Sequence, residues 1–147
     1  MTRPDVPPIG QRLSGTAKVV SRAFDDALAA EGGSVPVWLI LITLKSRRID
    51  NQRALAEAVG IQGATLTHHL NAMEKDGLIT RHRDPANRRV HVVELTEQGE
   101  SAFSRMRKAA VAFDRRLRSG LTEDEIARLT DLLERMRDNV SDDPEPC

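Results

Sequence analysis

Cysteine is nearly absent from this chain of 147 residues, whose only one is Cys147. An intrachain disulfide and a cysteine-ligated metal site are therefore excluded. Aromatics are almost as scarce, with one Trp, three Phe and no Tyr, so the core must be mainly aliphatic, which suits packed helices. No apolar run approaches the ~18 residues of a membrane-spanning helix. The longest, Val35 to Leu44, contains Pro36 and Thr43. The opening MTRPDVPPIG lacks the apolar segment of a secretion signal. Also missing are a Gly-rich phosphate loop, a serine elbow, a Cys–His arrangement and a metal triad. The expectation is a cytoplasmic, non-enzymatic protein with no membrane partner, cofactor or metal.

Net charge is missing as well, since 22 Lys and Arg balance 22 Asp and Glu. The distribution is uneven, however. Between Lys45 and Leu95, nine Lys and Arg face six Asp and Glu, a surplus of three, and all four histidines lie there. A basic middle followed by an acidic C-terminal part is the asymmetry of a chain that turns one face to phosphate.

The length suits one domain with a real core. Hydrophobic periodicity predicts a helix over residues 9–30, with Leu13, Ala17, Val20, Phe24 and Leu28 on one stripe. Ser34 caps a second helix, apolar all round from Val37 to Leu44. A short third helix starts near Asn51 and ends at Gly60, and a fourth runs from Gln62 to Lys75. The period then changes: 78–83 and 89–95 read as strands of a hairpin around Asp84-Pro85-Ala86-Asn87. A long helix follows Thr96 to about Arg118. The last helix opens on a capping box of Thr122 and Glu125 and carries Ile126, Leu129, Leu133, Met136 and Val140 at steps of three and four. Residues 1–8 and 141–147 read as flexible tails.

The fold class expected is mainly α (α+β): a winged helix-turn-helix over 34–95, flanked by a helical dimerisation region at 9–30 and 96–140. Small alanines (Ala54, Ala56) and Gly60 let the third and fourth helices cross closely. On the fourth, Leu66, Leu70 and Met73 share one side, while Ala64, His68, Asn71 and Lys75 lie opposite and Thr65 and Thr67 flank them. Standing alone, such a polar strip would be a solvated surface. Beside a short helix, a glycine turn and a hairpin it is a surface for reading DNA. Gln62 joins it at the helix N-terminus, where amides attract phosphate, and Asn51 is counted with it. His69 lies nearer the apolar side and is expected to pack. Arg83, Arg88 and Arg89 mark the hairpin tip, Arg88 and Arg89 being the candidates for a narrow minor groove. His82 and His91 are placed to face each other across the hairpin, but two ligands alone make no metal site.

The stretch ALAEAVGIQGATLTHHLNAMEKDGLITR (residues 54–81), then DPANRRV (84–90) and LTEQG (95–99), resembles the multiple-antibiotic-resistance regulator (MarR) family. The resemblance implies a homodimer on a pseudo-palindromic operator of double-stranded DNA, with Thr65 and His68 near bases and Arg89 in the minor groove. It implies terminal helices pairing between chains, here through Leu13, Val20, Ile126, Leu129, Leu133 and Met136. It also implies a small effector, phenolic or anionic, with Trp38 as a candidate pocket residue and core packing as the other reading of that indole. Asn87 stands where the family usually has the Asp that orients its wing arginine, and His68 where Arg is frequent. Peroxide sensing through an N-terminal cysteine is excluded. The function expected is a sequence-specific DNA-binding transcriptional regulator, a ligand-responsive dimeric repressor. The alternative is a helical adaptor that binds another helical protein.

Overall fold

A computed structural model describes residues 6–49, 51–87 and 91–141. The wing residues Arg88 and Arg89, and the outer parts of both expected tails, lie outside them. The chain divides into two compact units, Met1–Val111 and Ala112–Cys147.

In the first unit, α1 spans Ile9–Ala29, α2 Val35–Ser46, α3 Gln52–Val59 and α4 Gly63–Lys75. Strands β1, Ile79–Arg83, and β2, His91–Leu95, follow, and α5, Glu97–Leu117, begins there and crosses into the second unit. The order read from the sequence is the order observed, with ends shifted by a residue or two. Each boundary has a local cause. The Ser34 hydroxyl accepts the Val37 N–H at 3.4 Å to start α2, and Asn51 Oδ1 accepts the Ala54 N–H at 2.8 Å to start α3. Gly60 stops α3 at φ 80°, a left-handed conformation that costs glycine little. Gly77, at φ 78°, turns the chain from α4 into β1.

The core gathers Leu28 from α1, Trp38, Ile40 and Leu41 from α2, Leu55 from α3, and Leu66, Leu70 and Met73 from α4. Ala56 from α3, Ile79 from β1 and Ala102 and Met106 from α5 complete it. The α2 helix is buried on most sides but not all, since Leu39 remains 37% exposed. Burying Leu66 and Leu70 stabilises by about 1.5–3 kcal/mol each. No surface contact of α4 competes with that, so these two side chains set the rotation of the helix and hence which residues face outward.

The hairpin is antiparallel, pairing Ile79 with Leu95, Thr80 with Glu94, Arg81 with Val93, His82 with Val92 and Arg83 with His91. This corrects one expectation: His82 and His91 are not cross-strand partners. The register is offset by one position, and successive residues of a strand alternate faces. The turn between the strands is begun by Asp84, whose carboxylate accepts the Ala86 N–H at 2.9 Å and whose carbonyl accepts the Asn87 N–H at 3.1 Å.

The hairpin is tied back to α5 by Thr96. Its hydroxyl donates to the Gly77 carbonyl and accepts the Gly99 N–H at 3.0 Å. Its backbone N–H donates to the Leu78 carbonyl at 3.0 Å. Gly99 is buried against that same carbonyl: a Cβ there would stand 2.0 Å from the Leu78 oxygen. The second unit holds the end of α5 and α6, Glu123–Val140. The capping box is present, with the Thr122 hydroxyl accepting the Glu125 N–H at 3.1 Å and the Glu125 carboxylate accepting the Thr122 N–H at 3.0 Å. The Thr122 backbone N–H, and after it the Thr122 hydroxyl, hold the Glu125 carboxyl below its ordinary pKa.

Candidate nucleic-acid interface

The α3–turn–α4 unit presents the outer side of α4. Leu66, Leu70 and Met73 point into the core, 0–1% exposed, while Gln62, Ala64, Thr65, Thr67, His68 and Asn71 are all exposed. The polar residues singled out along α4 therefore share one accessible strip. Gln62, at the helix N-terminus, is exposed and makes no side-chain cap. The Thr67 hydroxyl donates to the Gly63 carbonyl of its own helix at 3.0 Å, so it faces a ligand as an acceptor. Asn51 does not join the strip as a free group. It is half-buried, and its oxygen caps α3.

His68 and His69 are adjacent, their rings 5.7 Å apart and edge to face. His69 is half-buried, as its position near the apolar side requires. No cluster of three potential metal ligands occurs among the described residues. Trp38 is a core residue, 8% exposed and stacked on Phe103 at 5.6 Å. Over the N-terminus of α2 lies a cavity of about 320 Å³, lined by Gly33, Val37, His69, Met73, Arg105 and Met106 among others. The indole is not among its lining residues.

Two features escaped the sequence reading. Arg47 and Arg48, which follow α2, share a hollow of about 510 Å³ with Asn51, Asp84, Asn87 and Val92, which sets two cations beside the base of the hairpin tip. Arg81 of β1 reaches back to α4, where it bonds Glu74 and Asn71. The Arg81 hydrogen bonds hold the Glu74 carboxyl below its ordinary value of 4.5. Neither feature leaves a periodic trace. Glu74 and Arg81 are seven residues apart across a turn, and only the path of that turn brings them together.

The model of the MarR family matches residues 34–91, the segment from the cap of α2 to the start of β2. YdgJ of Bacillus subtilis, an uncharacterized HTH-type transcriptional regulator, is 30% identical over 130 residues, which cover 88% of this chain and 77% of YdgJ. The chain belongs to the MarR family. It is a MarR-family transcriptional regulator, and the adaptor alternative falls with that finding. Two solved structures share the winged-helix fold over most of the chain. The transcriptional repressor CouR bound to a 23-mer DNA duplex is 27% identical, with a TM-score of 0.79, covering 88% of this chain and 92% of its own. CouR from Rhodococcus jostii bound to p-coumaroyl-CoA is 25% identical, with a TM-score of 0.71, covering 87% and 90%. Among the described residues of this MarR-family chain, no helix is long and apolar enough to cross a membrane.

Proposed function

We propose that this regulator is a dimeric, effector-responsive repressor that reads a pseudo-palindromic duplex operator through α4. The observation that carries this reading is the division of α4 between a buried aliphatic side and an exposed strip of short polar groups. Short side chains reach base edges and phosphates without holding the helix away from the groove. In this reading residues 34–95 form the DNA-binding lobe, with Gln62, Ala64, Thr65, Thr67, His68 and Asn71 against the major groove. Arg88 and Arg89 enter the minor groove, and 9–30 and 96–140 form the dimerisation region. The protein acts in the cytoplasm and is not an enzyme. The duplex complex of CouR supports DNA as the partner.

An effector is supported by the CouR complex with p-coumaroyl-CoA, a phenolic, anionic molecule. The cavity between the α1–α2 loop, α4 and α5 is the place proposed for it here. Its volume of about 320 Å³ is at the small end of ligand sites and suits a phenolic acid better than a whole thioester of coenzyme A. Arg105 is the cation for the anion, beside two carboxylates, Glu31 and Asp76, that also line the cavity. His69 and Met73 belong to α4, so a molecule seated there would press on the reading helix itself.

The test is selection of binding sites from random duplexes, then footprinting. Two protected half-sites about one helical turn apart, ~10 base pairs, are expected, with the Arg88→Ala/Arg89→Ala double variant flattening the salt dependence by up to roughly two phosphates. Equal affinity for selected and random duplexes would refute sequence-specific reading.

A further inference from the structure

One arginine joins the hairpin to α4. The Arg81 side chain is only 18% exposed. Its backbone N–H and its Nε both donate to Glu74 Oε2, at 3.2 and 3.3 Å, and its Nη2 donates to Glu74 Oε1 at 3.3 Å. The same Nη2 donates to Asn71 Oδ1. A guanidinium carries donors only, so the Asn71 amide must turn its oxygen toward Arg81. The Nδ2 amino group is then the arm left for a ligand.

This matters because Asn71 lies on the exposed strip of α4. An asparagine recognises adenine with both arms, its amino group to N7 and its oxygen to the N6 amino group. Here that oxygen is already bonded to a cation. An incoming adenine amino group would have to share the oxygen with a guanidinium and meet its positive charge. Glu74 holds the guanidinium in place through two contacts and the Arg81 backbone through a third, so the arrangement is built into the fold.

We propose that Arg81 makes Asn71 a donor-only contact, so that at this position the protein meets a hydrogen-bond acceptor, a purine N7 or a phosphate oxygen, and does not distinguish adenine from guanine. The proposal rests on the reading of α4 as the recognition helix. Arg81 is thus a positioning residue for specificity, acting through Asn71.

The experiment is a double-mutant cycle between the protein and its selected operator. Wild type and Asn71→Ala are titrated against duplexes that each lack one atom or charge. A 7-deazapurine removes N7, a methylphosphonate removes an anionic phosphate oxygen, and purine in place of adenine removes the N6 amino group. One 7-deazapurine or one methylphosphonate should weaken wild type roughly three- to tenfold, the size of one hydrogen bond, and leave Asn71→Ala unaffected. Which analogue does so tells base from backbone. No adenine amino group should couple to Asn71 in wild type, whereas in Arg81→Met, with its folding verified by thermal melting, such coupling should appear.

Coupling of Asn71 to an adenine amino group in wild type overturns the proposal, as does its absence in folded Arg81→Met where the coupled acceptor is the N7 of an adenine. Absence of coupling to any acceptor analogue overturns it alone if Gln62→Ala, Thr65→Ala or His68→Ala still weakens operator binding. If none of those three weakens binding, the recognition-helix reading fails and takes the proposal with it. Should Arg81→Met not fold, the Asn71 cycle decides by itself.

Discussion

His68 stands exposed on the strip of α4, one residue from the half-buried His69. Its imidazole offers one or two nitrogens where a guanidinium would offer a fork of donors, so it can make a base contact but not the bidentate pair to guanine. His68→Ala is expected to cost ~1–3 kcal/mol on the selected operator and little on random DNA. Parallel titrations of the two duplexes check this, and equal losses would place His68 on the backbone. Glu74 yields a pH prediction. Its carboxyl is held below the ordinary value of 4.5 by the Arg81 hydrogen bonds. A depressed carboxylate stabilises the fold fully above the unfolded value and loses that contribution as pH falls through the lower, folded value. The stability difference between wild type and Glu74→Gln should be constant near neutrality and shrink as the pH drops from 4.5, measured by denaturant unfolding at stepped pH. A difference that persists into strong acid would show that the ion pair plays no part. Residue types on α4 were legible in the sequence; their commitments were not. That the Asn71 oxygen belongs to Arg81 follows from a neighbour that the chain supplies through space, whereas Asn51 caps α3 locally, through an N–H three residues on.

Among the elements, the joint between the hairpin and α5 is held by side chain and backbone together. Thr96 bridges the Gly77 carbonyl and the Gly99 N–H, and Gly99 has no room for a Cβ against the Leu78 carbonyl. The obstacle is backbone, which cannot rotate away. Gly99→Ala is therefore expected to cost about 1–3 kcal/mol or more, read as a lowered thermal midpoint, and a midpoint equal to wild type would show that the joint yields. The Leu-Thr-Glu-x-Gly pattern was visible as a helix opening, but the reason for its glycine was not, because the opposing atom lies 21 positions earlier, at Leu78. Element order was legible because the hydrophobic period switches from helical to alternating and back. The hairpin register was missed by one position. Composition marks a turn, but the number of residues inside it decides which side chains share a face.

For the whole molecule, apolar side chains lie on surfaces that a single chain leaves uncovered. In the first unit α1 buries only Leu28 of its 21 residues, while Leu13 is 39% exposed and Val20 half-buried. In the second unit α6 buries none of its 18 residues, and Leu129, Leu132 and Leu133 are 38–47% exposed. Covering each leucine would contribute up to about 1.5–3 kcal/mol, and a second copy is the occupant proposed above. The double variant Leu129→Glu/Leu133→Glu should sediment as a monomer or become insoluble, and a soluble form should lose operator affinity. A soluble monomer that binds the operator like wild type would end the dimer reading.

The sequence by itself determined the helices, the hairpin and their order, because periodicity, caps and turn residues act over a few neighbouring positions. It also determined which side of α4 is apolar, since leucines at steps of three and four cannot be shared between core and water. Tertiary structure decided which groups from distant segments meet. It packed Trp38 against Phe103 and away from the cavity over α2, set His82 opposite Val92, and carried Arg81 across a turn to Glu74 and Asn71. The physical reason is one of range. Periodic signals record how much of a side chain is buried, whereas a hydrogen bond depends on angles and ångströms that arise only when distant segments meet.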